Sequence, residues 1–447
     1  MKKQLIAVFI LGAIVAAVFV LLSRTTEETK VEPVVTDFPE PPPGAIVFDM
    51  KYRGLSGRTG ELRYNSYWAF GQSATETPFL ADVKKNAKDI EAVYNPNFKR
   101  AEWSAIEIKD NKAIALYIDL DADGKLSDNE KILPIQNPES GPYNRAEFVT
   151  PDFIMTSHDD RQVPFRALVQ ATFYDQQSHP NCVWSPSCVL EGTSEINGQP
   201  AKLILYSNGF SASFKDFGAS SWSIQAGKEE TGNNVTMQTL GSIINHDGQF
   251  YNVEIHGQHG RNSTVRAVLT KYTGATGGLA VTLDSDGDLK SRLNGASITG
   301  SKDDKIYIGF YLLGNQNILP AGIYKLNRGY ISYGVKDNNE WRLSFTEGPE
   351  FTINADQTCE LKPGKPELSV SAVDENKRYQ NDVKEQTVYT EGTNIYISRK
   401  IKGKSGELYG RFSKQDENSR SYNDIQPEIK IVDSEGKQVA ATKIEYG

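Results

Sequence analysis

The chain has 447 residues, of which 38% are hydrophobic, 24% charged and 10% aromatic, a composition typical of folded globular proteins and not of disordered ones. A chain of this length is too long for one compact core, so we expect roughly three domains. A net charge of −8 and a sequence pI near 5.4 exclude the broadly basic surface that a nucleic-acid partner requires, and we expect no nucleic-acid binding.

Residues 1–24 predict a transmembrane signal-anchor or a signal peptide. Lys2 and Lys3 precede an uninterrupted apolar run over residues 5–22, and a helix of about 20 apolar residues spans a bilayer. Cleavable signals have shorter apolar regions of roughly 7–15 residues, but the small residues before a cut after Ala17 keep cleavage open. The lysines would stay in the cytoplasm, with the body of the chain outside. We therefore expect an exported protein, anchored in the membrane through this helix, with its body in the periplasm or at the cell surface, or secreted if the signal is cleaved.

Residues 25–44 read as a Pro-rich linker, extended and semi-rigid. Beyond it, short alternating runs of β-branched and aromatic residues, bounded by turn formers, predict strands. The clearest runs are residues 202–206, 249–255, 305–311, 394–398 and 428–432. Helical spacing is scarce, and the best candidate for a helix is 78–94.

This pattern predicts an all-β chain of several β-sandwich-like modules in series, after the N-terminal transmembrane or signal helix. The expected modules are 45–150, which holds an acidic loop, 151–237, which holds a possible disulfide, and 238–366. The last module, 367–447, has the size of an immunoglobulin-like sandwich but lacks the Cys and Trp hallmarks of that fold.

The most specific pattern of the chain is a twelve-residue acidic loop at 119–130. Carboxylates fall at positions one, three, five and twelve, with Gly at six, an aliphatic residue at eight and a hydroxyl at nine: Asp119, Asp121, Asp123, Glu130, Gly124, Leu126 and Ser127. A calcium ion takes six to eight oxygens at about 2.3–2.6 Å, and this spacing can wrap the chain around one. The loop therefore predicts Ca²⁺ as a cofactor.

The loop resembles the calcium loop of EF-hand proteins. This resemblance implies a side-chain oxygen from each of Asp119, Asp121 and Asp123, a carbonyl from Lys125, a direct or water-mediated contact from Ser127 and two oxygens from Glu130. The flanks depart from that family, because residues 113–118 predict a strand and Pro134 leaves at most one helical turn after the loop. We therefore expect a calcium loop set into a β-module. An Asp-rich surface turn without an ion is the alternative.

Three cysteines, Cys182, Cys188 and Cys359, suit an exported protein. A disulfide between Cys182 and Cys188 would close a short loop and leave Cys359 as a buried thiol. A zinc site is the weaker interpretation, because five intervening residues do not make a common zinc-binding pair.

Other motifs are less specific. The acidic turn at 284–288 fits a hairpin, with a degenerate cation site as the alternative, and His256 and His259 fit loop positions better than a metal pair. The strand-and-acidic-turn pattern, including residues 116–130 and 319–326, resembles exported bacterial proteins of serial β-modules, a resemblance that implies no activity.

We therefore expect a non-catalytic calcium-binding protein of the cell envelope, with a structural or interaction role, in which Ca²⁺ locks the first β-module. No catalytic residue is predicted. A glycan-binding or adhesive protein, with a glycan or an envelope protein as its partner, is the alternative, and an exported polysaccharide hydrolase is a third.

Overall fold

A computed structural model describes residues 38–55, 67–70, 90–93, 104–110, 112–120, 127–135, 144–156, 162–173, 181–207, 214, 217, 220–226, 238–257, 259–260, 264–283, 291–302, 305–312, 314–334, 340–364, 366–374, 395–416, 421–426, 428–432 and 435–443. Within these ranges the chain forms 32 strands and one short 3-10 helix, Asp128–Glu130. The protein is therefore all-β in its described part, as predicted. The expected N-terminal helix and most of the linker lie outside the described residues.

The strands of the first 271 residues are β1 (Ile46–Gly54), β2 (Tyr67–Phe70), β3 (Ile90–Val93), β4 (Ser104–Lys109), β5 (Lys112–Ile118), β6 (Lys131–Ile132), β7 (Asn144–Val149), β8 (Phe153–Thr156), β9 (Gln162–Phe165), β10 (Ala167–Phe173), β11 (Asn181–Pro186), β12 (Cys188–Ile196), β13 (Gln199–Ser207), β14 (Ser220–Ala226), β15 (Gln238–Thr239), β16 (Ile243–His246), β17 (Gln249–Gly257) and β18 (Val265–Lys271). The remaining strands are β19 (Thr276–Val281), β20 (Ser291–Lys302), β21 (Lys305–Tyr311), β22 (Gln316–Pro320), β23 (Gly322–Tyr333), β24 (Trp341–Glu347), β25 (Glu350–Ile353), β26 (Thr358–Leu361), β27 (Glu367–Asp374), β28 (Ile395–Lys402), β29 (Leu408–Gln415), β30 (Tyr422–Asp424), β31 (Glu428–Val432) and β32 (Gln438–Lys443).

The first core lies between the two halves of an eight-stranded sheet, whose order is β15-β14-β13-β12-β1-β18-β17-β16. The first half of β1 pairs with β18 and its second half pairs with β12, so the sheet bends at this strand. Its two edge strands, β15 and β16, are joined by only three residues, 240–242, which span at most about 14 Å. The sheet therefore folds back on itself, around a core that includes Phe48, Met50, Leu203, Trp222, Val253 and Leu269.

Two four-stranded sheets extend this first core. Their orders are β2-β11-β10-β7 and β3-β4-β5-β6. Residues on one side of these sheets face the core, among them Ile106, Leu116, Phe148, Val169 and Trp184, because side chains alternate between the two faces of a strand. The hairpin of β8 and β9 adds Phe153 and Phe165, whose rings meet edge to face with centroids 5.8 Å apart.

A second core lies between a three-stranded sheet, β22-β19-β26, and a nine-stranded sheet whose main path is β21-β20-β23-β24-β29-β28-β27. Strands β25 and β30 join the larger sheet at its side. Leu279, Leu319 and Leu361 come from the smaller sheet, and Ile331 and Phe345 from the larger. The pair β31–β32 forms a separate hairpin.

The strands predicted at 202–206, 249–255, 305–311 and 428–432 are confirmed by β13, β17, β21 and β31, and β28 covers most of 394–398. The helix proposed at 78–94 is wrong at its described end, because Ile90–Val93 is a strand that pairs with β4. In the described part of the chain, no helix has the length and apolarity needed to cross a membrane.

Hydrogen-bonded sheets run across the boundaries expected between modules. Strand β7 pairs with β10 across 150/151 and β14 pairs with β15 across 237/238. Strand β24 pairs with β29 across 366/367. Residues that the sequence assigns to different modules therefore share sheets and cores.

Candidate metal centre

The acidic loop begins at the end of β5, a central strand of the sheet β3-β4-β5-β6. Strand β5 is fixed in the core by its apolar residues, and the side chains of Ala113, Ala115, Leu116 and Ile118 are buried. Asp119 follows this strand directly and is itself only 8% exposed. The chain returns through the 3-10 helix Asp128–Glu130 and enters β6, which pairs with β5. Both ends of the loop are thus fixed to neighbouring strands.

Glu130 holds the two ends of the loop together. Its Oε1 accepts a hydrogen bond from the Leu120 N–H at 2.7 Å. Its Oε2 accepts one from the Ser127 N–H at 2.7 Å and another from the Ser127 hydroxyl at 3.1 Å. Glu130 is 6% exposed, and these three donors compensate for the removal of its carboxylate from water. Glu130, the ligand predicted at position twelve of the loop, therefore already points back towards the start of the loop.

Lys131, the residue after Glu130, ties the loop to the sheet. Its ammonium donates to Oε2 of Glu107 at 2.8 Å and lies 5.4 Å from the ring centroid of Tyr117. The hydrogen bond to Glu107 raises the pKa of Lys131, so this ammonium stays charged at neutral pH. The Tyr117 hydroxyl donates to the same Glu107 oxygen at 3.1 Å. The end of the loop is thus held by an ion pair as well as by backbone pairing.

Half of the six predicted calcium ligands fall within the described residues. Asp119, Ser127 and Glu130 do, and the structure brings Ser127 and Glu130 into direct contact. Asp121, Asp123 and Lys125 lie outside the described residues, as does the second acidic turn at 284–288. Among described side chains, no group of three or more His, Cys, Asp or Glu residues is placed to hold a metal ion.

Both flanks of the loop are strands, and the sequence predicts the first of them, at 113–118. Strand β5 precedes Asp119, and β6 begins at Lys131. The only described helical residues here are the three of the 3-10 helix. A paired-helix rearrangement of the kind that EF-hand sensors undergo has no counterpart in this geometry, and an ion bound here would act on a β-sheet.

The cysteine pair differs from the expectation. Cys182 lies in β11 and Cys188 begins β12, and both are buried. The Ser187 N–H donates to the Arg166 carbonyl at 2.7 Å, which continues the ladder of β11 and keeps the chain extended. Six extended residues span about 20 Å, whereas a disulfide needs Cα atoms within about 7 Å. The structure has no disulfide between these two residues, and burial raises the pKa of Cys188 to about 12, so its sulfur stays protonated at neutral pH.

The two histidines singled out by the sequence have separate surroundings. His256 lies in β17, with its Nε2 3.2 Å from Oε2 of Glu254. His259 is 6% exposed, stacks on the ring of Tyr52 with centroids 5.6 Å apart, and places Nε2 3.0 Å from the Pro164 carbonyl. His259 therefore belongs to the packing between β1 and β9.

Sequence reasoning missed the groups that hold the loop from outside it. Glu107 and Tyr117 belong to β4 and β5, and their position against Lys131 depends on strand pairing. The spacing of residues gives no signal for such contacts. The alternation of side chains along β4 and β5 would have assigned Glu107 and Tyr117 to one face of the sheet or the other. It would not have placed them beside Lys131.

No family model, no curated protein and no solved structure matches the chain.

Proposed function

We propose that the protein is a non-catalytic, calcium-binding component of the cell envelope, in which Ca²⁺ bound by the loop 119–130 locks the β-sheet formed by β3 to β6. In this proposal the body, built of sandwich-like modules, lies outside the cytoplasmic membrane and is anchored there through an N-terminal helix. The role is structural or one of interaction with other envelope components.

The observation that carries the proposal is the position of Glu130. Its carboxylate bridges the first and last turns of a loop whose remaining acidic residues have calcium-ligand spacing. Each carboxylate oxygen has two lone pairs, so Oε1, which accepts only the Leu120 N–H, can still coordinate a cation. Oε2 accepts two hydrogen bonds, and it would coordinate the ion in exchange for the bond from the Ser127 hydroxyl, which can rotate away. Holding Glu130 in place before the ion arrives reduces the ordering cost of binding.

Several carboxylates within one short loop repel one another without a cation, and a bound ion removes that repulsion. Sites of this kind that serve extracellular modules bind calcium at about 10⁻⁴–10⁻³ M. Binding to the folded state alone stabilises it by about 2.7 kcal/mol when calcium exceeds the dissociation constant a hundredfold. We expect this gain to appear as a calcium-dependent rise in the unfolding temperature.

The test is calorimetric titration with CaCl₂ together with thermal unfolding in CaCl₂ and in EDTA. Replacing both Asp121 and Asp123 by Asn should abolish the heat of binding and the calcium-dependent rise, while the unfolding temperature in EDTA stays at or above that of wild type. Glu130→Gln should also lower the unfolding temperature in EDTA, because the amide NH₂ would face the N–H donor of either Leu120 or Ser127.

The matched control is Asp110→Asn, in the exposed turn between β4 and β5. Asp110 has φ of 52°, a conformation that Asn tolerates as well as Asp. This variant removes a carboxylate from the same sheet and should keep the full calcium response. A wild-type protein that gives no heat and unfolds at one temperature in CaCl₂ and in EDTA would refute the proposal.

A further inference from the structure

A second polar cluster lies on the outer face of the nine-stranded sheet, which shares no strand with the sheet that carries the calcium loop. In β23 and β24, Ile331 and Leu343 point into the second core, so Ser332 and Arg342 point outward. Cross-strand pairing continues this outward row from Arg292 of β20 to Ser332 and then to Arg342. We call the outward side chains of Arg292, Tyr330, Ser332, Glu340, Arg342 and Tyr422 the arginine face.

The guanidinium of Arg342 is held between two aromatic rings. Its central carbon lies 3.5 Å from the ring centroid of Tyr422 and 4.6 Å from that of Tyr330. Both distances fall within the range of cation–π contact, and a planar guanidinium stacks well on such rings. Two rings together fix the plane of the group, so little of its freedom remains to be lost on binding a ligand.

A hydrogen-bond chain fixes the direction of the same group. The Asn294 amide donates to the Ser332 hydroxyl at 3.2 Å, and that hydroxyl donates to Oε1 of Glu340 at 2.6 Å. Nε of Arg342 donates to the same oxygen at 2.9 Å. Burial raises the pKa of Glu340, but the hydrogen bonds from Ser332, Arg342 and Tyr422 outweigh it and bring the pKa below its usual value. The carboxylate therefore remains charged at neutral pH and orients Arg342.

The two terminal nitrogens of Arg342 are available as hydrogen-bond donors to a ligand. With Nε bonded to Glu340, its two terminal nitrogens make no hydrogen bond to any described residue, and its side chain is 31% exposed. These two nitrogens form a fork that matches the two oxygens of a carboxylate. Arg292, two strands away at about 10 Å, is exposed and has no ion pair with a described residue.

Charge on the arginine face is opposite to that of the whole chain. Two guanidinium groups stand against the single carboxylate of Glu340, on a protein whose net charge is −8. We propose that the arginine face binds the carboxylate groups of an acidic polysaccharide, with Arg342 taking one carboxylate end-on and Arg292 a second one along the polymer. A polymer carries carboxylates at regular intervals, so one chain lying along the sheet can reach both of the separated guanidinium groups.

The experiment measures binding of the full chain to polygalacturonate by affinity electrophoresis and calorimetry, in EDTA so that calcium bridging does not contribute. Parallel measurements use fully methyl-esterified polygalacturonate and polyphosphate. Wild-type protein should bind the acid polymer, should not bind the ester, and should bind more weakly as salt rises. Arg342→Lys keeps the charge but loses the fork, and its dissociation constant should rise about tenfold, the effect of losing one charge-assisted hydrogen bond.

Arg292→Ala provides a second variant, which removes no side-chain hydrogen bond, ion pair or ring contact among the described residues. It should weaken binding and leave the unfolding temperature unchanged, which separates loss of the site from loss of the fold. The matched control is Arg53→Lys in β1, where Nε donates to Glu191 at 2.8 Å in the other core. This control should bind the polymer as wild type does.

Four results would overturn the proposal. Equal binding of the methyl ester would point to ring stacking, and binding of polyphosphate without polygalacturonate would point to a phosphate ligand. An equal loss in Arg53→Lys would show that the loss does not depend on the arginine face. Absence of any binding by wild-type protein would show that the arginine face has no polymer ligand of this class.

Discussion

At the scale of single residues, one glycine permits the two cores to meet. Gly241 lies in the three-residue connection between β15 and β16, where the eight-stranded sheet closes. A Cβ atom at this position would lie 2.5 Å from the backbone carbonyl oxygen of Tyr307 and 2.8 Å from the Ile308 nitrogen. Both atoms belong to β21, an edge strand of the nine-stranded sheet. Because backbone atoms cannot rotate away as a flexible side chain does, only glycine fits there.

We therefore predict that Gly241→Ala lowers the free energy of unfolding by about 1–3 kcal/mol, the usual cost of overpacking a well-packed contact. Urea denaturation followed by tryptophan fluorescence would measure it. Gly410→Ala is the control, because Gly410 lies in β29 with nothing within 4 Å of the added Cβ. That control should be neutral or slightly stabilising. Equal stability of both variants would contradict the close approach at β21.

The candidate ligands of the calcium loop could be predicted at this scale because all of them lie within twelve residues. Spacing alone assigned Glu130 to the last position of the loop. Spacing could not reveal that Glu130 accepts the Leu120 N–H, or that Lys131 reaches Glu107, because these contacts depend on how β4, β5 and β6 pair. The arginine face was missed for the same reason, since its side chains come from four strands spread over residues 292–422.

At the scale of elements, alternation of apolar and polar residues predicted strands well. It succeeded at β21 and β31, where β-branched and aromatic residues alternate between turn formers. It failed at Ile90–Val93, where apolar residues spaced by three suggested a helix. Pairing with β4 makes this segment a strand. The preference of a residue for strands depends on such context more than its preference for helices does.

A buried carboxylate joins two elements that are distant in sequence. Glu407 is fully buried in the turn between β28 and β29. Its Oε1 accepts hydrogen bonds from the Gly364 N–H at 2.6 Å and the Tyr409 hydroxyl at 2.8 Å, and its Oε2 accepts one from the Ser405 N–H at 3.1 Å. The segment before β27 is thereby fastened to the hairpin that follows it.

Glu407→Gln replaces one accepting oxygen by an NH₂ group that must face a donor. We expect a loss of about 1–3 kcal/mol in the free energy of unfolding, the cost of leaving a buried polar group unsatisfied. The urea midpoint should fall while the slope stays constant, since the exposed area on unfolding does not change. Glu428→Gln is the control, because Glu428 is exposed in β31, where a change within about 0.5 kcal/mol is expected. A control that loses as much as Glu407→Gln would contradict the role of burial.

At the scale of the whole molecule, the number and order of sheets could not be read from the sequence. Strand β1 pairs with β18 although more than 200 residues separate them, as in the register Ile46 to Leu269. Composition shifts and proline-rich turns mark places where the chain changes direction, and these were the basis for the expected modules. They carry no information on which strands meet afterwards, and strand pairs cross the three boundaries expected between the β-rich modules.

The clearest consequence concerns residues 367–447, expected from the sequence to form a module of its own. Strand β29 pairs with β24, and the rings of Tyr409 and Phe345 meet edge to face with centroids 6.1 Å apart across that pairing. Phe345 is 1% exposed and Tyr409 is 5% exposed, so cutting the chain at 366 would expose both rings and leave β24 with an unpaired edge.

We therefore predict that residues 367–447, produced alone, show no cooperative thermal unfolding, and that residues 38–366 aggregate through the exposed edge of β24. Circular dichroism melts and size-exclusion chromatography would measure both outcomes, with residues 38–447 as the control that unfolds cooperatively. A sharp melt of the isolated 367–447 segment would mean that its own strands suffice for a core, and that the continuous sheet joins two units that fold separately.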